Sequence, residues 1–287
     1  MPESRGIVYI ATGNQFVTEA RVSARTVLER MPDVNITLIT DISVDVPEFD
    51  TVMTLADPRD DFGDQVYALD RTPYDRTVFL DTDIYLTEAI DDMWDLLDEF
   101  DIAAAHNKVN WSSDRIDVPE VTALPECFPE YNSGVVAFKK NERVDGFFEE
   151  WRNAYRKVLA SGQIHNQAAF RVALYRSDVR IATLPTTYNC VFRRPGCVNG
   201  KIKAFHGRIL DVETPGAGVH VDVTQAIEEL NADDGLRTFY RVEDEIHLSK
   251  PGLFEKGLTH LRTRGMAKTV VSTMSYVTGK LLRIPLP

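Results

Sequence analysis

The chain lacks most of the features that assign a protein to a class at a glance. Its 287 residues contain three cysteines, Cys127, Cys190 and Cys197. An odd number without CxxC spacing excludes a disulfide framework, a zinc knuckle and a redox pair, and leaves ordinary reduced thiols. No apolar run approaches the roughly 18 residues that mark a membrane span, so none is expected. The opening MPESRGIVYIATG has neither a basic leader nor a cleavage pattern, and a cytoplasmic location is expected. There is no internal repeat and no low-complexity tract.

Cations are also scarce. Lys and Arg number 32 against 44 Asp and Glu, a net charge of −12. They are unevenly spread: residues 249–287 hold seven basic residues and one acid, a charge of +6, so residues 1–248 carry −18. So acidic a body excludes nucleic-acid binding, which needs clustered Lys and Arg against phosphate. Any phosphate ligand must be met through a bound cation.

What is present alternates. GIVYIAT (6–12), NITLIT (35–40), TVFL (77–80), IAAA (102–105), GVVAF (134–138) and IATL (181–184) read as strands. Segments 16–31, 91–100 and 166–176 read as helices, the first with Val17, Ala20, Ala24, Val27, Leu28 and Met31 on one face. Such alternation predicts an α/β fold with a mostly parallel sheet between helices. The expected division is a main domain over 1–248 and a tail over 249–287. The tail repeats Met266, Val270, Met274, Val277 and Leu281 at near-helical spacing between basic residues, which fits either a helix packed on the body or one lying on an anionic membrane.

The informative stretch is TVFLDTDIYL (77–86), an apolar run that ends on Asp81 and Asp83. A chain with 26 aspartates yields about two D-x-D triplets by chance, so the position matters more than the pattern. In an extended strand residues i and i+2 point the same way, which would aim both carboxylates at one spot on the sheet's carboxyl edge, where open α/β sheets bind ligands. Two hard oxygen donors there suit Mg²⁺ or Mn²⁺, and through the ion a diphosphate.

That stretch, preceded by PYDR (73–76) and followed in order by YNSGVVAF (131–138), HNQAAF (165–170) and AFHGR (204–208), resembles the glycosyltransferases of the GT-A fold, most closely family 8, the retaining nucleotide-sugar enzymes. The resemblance spans about residues 6–208, and its order and spacing are more specific than any one motif. It implies a Rossmann-like, mostly parallel mixed sheet with a C-terminal helical tail. It implies that Asp81 and Asp83, with Thr82 between them, bind the metal and donor diphosphate, that His206 is the third metal ligand, and that Arg208 pairs with a donor phosphate. Ala11, Thr12 and Asn14 would line the nucleoside, with Phe16 stacked on its base or else fastening the start of the helix. Asn132, Ser133 and Gly134 would line the sugar, and Asn166 and Gln167 would flank the reacting carbon.

The chain departs from the pattern at three places. Gly13 stands where relatives often have an aspartate facing the base. Asn166 replaces the usual acid, which removes a candidate nucleophile. Gln65 and Val66 stand where a Lys or Arg often touches the donor sugar, Arg71 being the nearest basic residue. The expectation is a Mn²⁺- or Mg²⁺-dependent hexosyltransferase that moves a sugar from a nucleotide-diphosphate donor, with uridine as the base, to a glycan or lipid-linked acceptor, peripheral on the inner face of the membrane. A strand followed by D-x-D also marks haloacid-dehalogenase-like phosphatases, although Tyr85 and the motif's distance from the N-terminus fit those poorly; a non-catalytic nucleotide-sugar binder is the third reading.

Overall fold

A computed structural model describes residues 3–59, 61–107, 112–192, 194–208, 223–242 and 245–249. Among these, no helix is long and apolar enough to cross a membrane. The basic tail predicted over 249–287 lies, apart from its first residue, outside the described residues.

The chain runs β1 (Arg5–Ile10), α1 (Gly13–Arg30), β2 (Ile36–Thr40), β3 (Thr51–Thr54), α2 (Gly63–Ala68), β4 (Arg76–Leu80), β5 (Ile84–Leu86), α3 (Asp92–Glu99), β6 (Ile102–His106), α4 (Pro119–Thr122), β7 (Tyr131–Lys139), α5 (Glu142–Ala160), α6 (Gln167–Arg176), β8 (Ile181–Thr183), β9 (Cys190–Val191), β10 (Gly196–Val198) and β11 (Ala204–His206). Seven strands form one sheet in the order β3-β2-β1-β4-β7-β6-β8. All neighbours are parallel except those of β7, which runs against both β4 and β6. The mostly parallel mixed sheet expected from the alternation is therefore present.

Both faces of the sheet are covered, which is why its central strands read as unbroken apolar runs. Along β1 and β4, Ile7, Tyr9, Val78 and Leu80 join one apolar cluster with Val17, Ala20, Ala24 and Val27 of α1. The alternate residues Val8 and Phe79 join the other, with Phe147, Trp151 and Tyr155 of α5 and Phe170 of α6. Helix α5 was not among the sequence expectations, yet its signals are plain. Asn141 Oδ1 accepts a hydrogen bond from Val144 N (3.0 Å), and buried Val144, Phe147, Phe148, Trp151, Ala154, Tyr155 and Val158 recur at helical spacing.

Two features of topology place the site. Because β7 runs antiparallel, with Leu80 opposite Val135, its first residues Asn132–Gly134 lie beyond the carboxyl end of β4. A small sheet β5-β11-β9 then sets His206 opposite Ile84, one residue after Asp83.

Candidate active site

Strand β4 stops at Leu80, so Asp81 and Asp83 are not on an extended strand as expected. They occupy a tight turn closed by Ile84 N donating to Asp81 O (3.2 Å). Their convergence comes from the turn and from two ties to other strands: Asp81 N donates to Gly134 O (2.8 Å), and Gly207 N donates to Asp83 O (3.1 Å). The intervening Thr82 points inward, where its hydroxyl donates to Glu19 Oε2 (2.5 Å).

His206 Nε2 lies 3.4 Å from Asp83 Oδ1 and 3.8 Å from Asp81 Oδ2. One ligand atom from each of the three residues falls within 4.8 Å of the others, a set that could hold a divalent ion. The backbone makes room for it. A Cβ on Gly134 would stand 2.5 Å from both Asp81 Oδ2 and His206 Cε1. Partial burial, first, and the neighbouring Asp83 push the Asp81 carboxyl up, with His206 and Arg208 opposing the shift.

Beneath this cluster Glu19 of α1 is fully buried. Its pKa rises to about 7, chiefly from burial and then from the charge of Asp83. It accepts from Arg208 Nε (3.1 Å), whose guanidinium carbon sits 5.1 Å from the centre of the Phe16 ring. Phe16 itself packs against the apolar cluster under α1. Glu19 was absent from the sequence expectations, because an acid amid a helical stripe reads as a surface residue.

At the first turn, Ala11 is buried and Asn14 exposed, and Thr12 Oγ1 donates to Asp64 Oδ2 (2.9 Å). Gly13 adopts φ +77°, a left-handed conformation that side chains resist, and its N–H donates to Asp41 Oδ1 (2.8 Å). The turn thus lacks an aspartate at residue 13 for a backbone reason and receives one from the end of β2.

Strand alternation separates the NSG segment. Asn132 and Gly134 face the acidic cluster: Asn132 Oδ1 accepts from Gly134 N (2.9 Å) and Asn189 Nδ2 (2.8 Å). Ser133 turns the other way and donates through its hydroxyl to Asn166 Oδ1 (3.1 Å). Asn166 Nδ2 donates to Gln65 Oε1 (2.7 Å) and Phe62 O (3.1 Å), and Gln65 Nε2 donates to Ser133 O (2.7 Å). Asn166 therefore makes no side-chain cap on α6, and Gln65, at the position where a cation often stands, is tied into this buried network. Arg71 is exposed at the end of a single 3₁₀ turn.

Beside the acidic cluster opens a cavity of about 360 Å³. Its lining includes Asn107, Asn132, Gln167, Asn189 and Arg194, amide-rich and without a carboxylate among the described residues. Neither Asn107 nor Asn189 was foreseen, since a single asparagine in a loop carries no pattern. Asn189 Oδ1 meets His206 Nδ1 at 2.8 Å, so it contacts the back of the histidine ring.

No protein-family model matches the chain, and no curated protein does. Solved structures do. The galactosyltransferase LgtC, crystallised with donor and acceptor sugar analogues, superposes with a TM-score of 0.54 at 13% identity, over 79% of this chain and 95% of that one. Mouse xyloside xylosyltransferase 1 matches at 0.48 with 14% identity over 71% and 97%, and GlyE of Streptococcus pneumoniae TIGR4 at 0.48 with 16% identity over 66% and 47%. The first of these establishes the fold, which is GT-A.

Proposed function

We propose that the protein is a divalent-metal-dependent glycosyltransferase that moves a sugar from a nucleoside-diphosphate sugar, with uridine as the base, to a glycan or lipid-linked acceptor. The observation that carries this reading is the convergence of Asp81, Asp83 and His206 on one point, with Gly134 bare beneath them and an amide-lined cavity alongside. The GT-A fold, shared with a galactosyltransferase captured with donor and acceptor analogues, adds support.

The donor set of two carboxylates and one imidazole fits Mn²⁺ or Mg²⁺, and in so acidic a body such an ion would be the main counter-charge for a diphosphate. A bound ion would offset the negative charge that develops on the leaving diphosphate. The chain's own groups do the rest. Arg208, steadied by Glu19 and the Phe16 ring, offers a cation at the same edge. Thr12, Asn14 and the backbone from Ala11 to Gly13 border the nucleoside, with Phe16 at the base. Asn132 and Gln167 orient sugar hydroxyls in the cavity, with Asn107 holding the Gln167 amide, while Ser133 and Asn166 bond to each other at the start of α6. Because residue 166 is an amide, a retaining reaction would use the leaving phosphate, rather than this side chain, to take the acceptor's proton.

We further propose that residues 249–287 form a basic tail that holds residues 1–248 to the anionic inner face of a membrane, where a lipid-linked acceptor resides.

Incubation with a panel of nucleotide sugars, with Mn²⁺, Mg²⁺ or EDTA, tests the reaction. Metal-dependent release of nucleoside diphosphate together with a glycosylated product supports it. Release of inorganic phosphate from phosphoesters, or binding without turnover, overturns it in favour of a phosphatase or a binding protein.

A further inference from the structure

Three side-chain amides join His206 to Gln167 through four hydrogen bonds. His206 Nδ1 meets Asn189 Oδ1 (2.8 Å), Asn189 Nδ2 donates to Asn132 Oδ1 (2.8 Å), Asn132 Nδ2 donates to Asn107 Oδ1 (3.3 Å), and Asn107 Nδ2 donates to Gln167 Oε1 (2.5 Å). An amide can be turned end for end, so the sense of such a row needs independent anchors. Two exist.

The first anchor is Glu130, which is fully buried. Its carboxylate accepts from Ser113 N (2.7 Å), Ser113 Oγ (2.7 Å) and Ser112 N (3.2 Å), so its oxygens act as acceptors. Asn107 lies 2.8 Å from the same carboxylate and must present its NH₂ there. With its nitrogen so placed, Asn107 requires an oxygen from Gln167 and a nitrogen from Asn132. The second anchor is Gly134 N, a donor that cannot be inverted, 2.9 Å from Asn132 Oδ1. It requires the same orientation of Asn132 that Glu130 does. Asn189 must then donate to Asn132, and its oxygen is left to face His206.

We infer that this row of amides is a one-way ladder that fixes His206 in the Nδ1–H tautomer and Gln167 with its NH₂ toward the cavity, with Asn189 the positioning residue between them. With Nδ1 donating to Asn189, the Nε2 lone pair faces Asp81 and Asp83, the form in which imidazole can bind a cation. At the far end Gln167 Oε1 already accepts from Asn107, while its NH₂ has no partner among the described residues and is the group left to meet a ligand. The cavity is thereby matched to an oxygen acceptor, a sugar ring or hydroxyl oxygen, at that point. Hydrogen bonds aligned head to tail also polarise one another, so the ladder holds its sense as a unit.

The tautomer and Mn²⁺ binding are read without any sugar transfer, so this inference can fail while the proposed reaction stands, and the reverse; only the meaning of the Mn²⁺ arm rests on that reading. Long-range ¹H–¹⁵N spectra of the full chain, recorded well above imidazole's ordinary pKa of about 6.5 and assigned with His206→Gln, report which ring nitrogen carries the proton. The expected result is Nδ1–H in the unmodified protein and its loss in Asn189→Leu; Asn189→Asp, which gives up the bond to Asn132 Oδ1 but keeps an acceptor for Nδ1, should retain it. Calorimetry with Mn²⁺ alone should find binding weakened by roughly 10–100-fold in Asn189→Leu, the usual cost of losing such a partner, and held within a few fold in Asn189→Asp. An Nε2–H ring in the unmodified protein overturns the inference. So does Asn189→Leu with the original tautomer and affinity. Should Asn189→Leu fail to fold, the unmodified protein and Asn189→Asp decide the matter.

Discussion

Gly134→Ala perturbs the site by one methyl group. Gly134 is an ordinary strand residue without the positive φ of Gly13, so alanine meets no backbone penalty there and only the space around Cβ counts. That space is taken: Cβ would lie 2.5 Å from Asp81 Oδ2 and from His206 Cε1, and 3.1 Å from Asn132 Oδ1, where real contacts stop near 3.0 Å. Both ligands must retreat by about half an ångström, roughly the tolerance within which a preorganised site works. They differ in freedom to do so. The Asp81 side chain is 37% exposed and can swing toward solvent, whereas His206, 13% exposed, is pinned through Nδ1 to Asn189. The fold therefore loses little, about 1–2 kcal/mol of overpacking. At 2–4 °C per kcal/mol for a chain approaching this size, melting falls by roughly 2–8 °C. Metal affinity loses more, because two of three ligands are displaced together; a drop of at least about 100-fold exceeds what one lost supporting contact brings. Calorimetry with Mn²⁺ and thermal melting, run on the same sample, separate the two effects. Wild-type Mn²⁺ affinity in Gly134→Ala would refute the argument that this glycine is bare in order to admit the ligands.

Glu19→Gln, measured in a chelator, should flatten stability against pH. The folded carboxyl rises from 4.5 to about 7, so the native state binds the extra proton; that contribution is complete below pH 4.5, is lost as pH climbs to about 7, and amounts to about 3 kcal/mol at most. Denaturant melts at several pH values check it, and an unchanged slope between pH 4.5 and 7 counts against a raised Glu19. Asn166→Asp restores the acid common in relatives but would set a carboxylate oxygen against Gln65 Oε1 and Phe62 O; a loss of about 1–3 kcal/mol by urea unfolding is expected, with no gain in turnover, and a faster enzyme would contradict the structural role of the amide. Removing residues 251–287 should abolish salt-sensitive binding to anionic vesicles in flotation assays while leaving soluble-substrate turnover intact; equal partitioning of the two forms would remove the tail from membrane binding.

The fold was legible where burial on both faces leaves no choice of residue. The runs at 6–12, 35–40, 77–80 and 134–138 are apolar because β1, β2, β4 and β7 lie inside the sheet, and each was placed to within a few residues. Helix α5 is equally written, in Asn141 and the phenylalanine and tryptophan spacing that follows. Strand β3 is harder: it is an exposed edge of only four residues, TVMT, too short to show alternation, and pairing with β2 makes it a strand. The short strands β9 and β11 owe their existence to each other and to β5, which no local pattern encodes.

The acidic pair illustrates how a correct conclusion can rest on the wrong geometry. Alternation along a strand would have aimed Asp81 and Asp83 at one point, but the strand ends one residue too early for that to operate. A turn brings the two together instead, and turns are permissive, so the turn alone would not fix either carboxylate. What fixes them comes from far along the chain: Gly134 O accepts from the Asp81 amide, Asp83 O from the Gly207 amide, and Glu19 takes up the hydroxyl of Thr82 between them. Three contacts across 53 to 124 residues of sequence each remove one freedom from a three-residue turn. The same reasoning explains why Glu19 tolerates complete burial. Thr82 and Arg208 satisfy its two oxygens, so a costly buried acid is held where it can tie the turn to the segment that follows His206. Local sequence could name the two aspartates; only residues distant from them could say where they point.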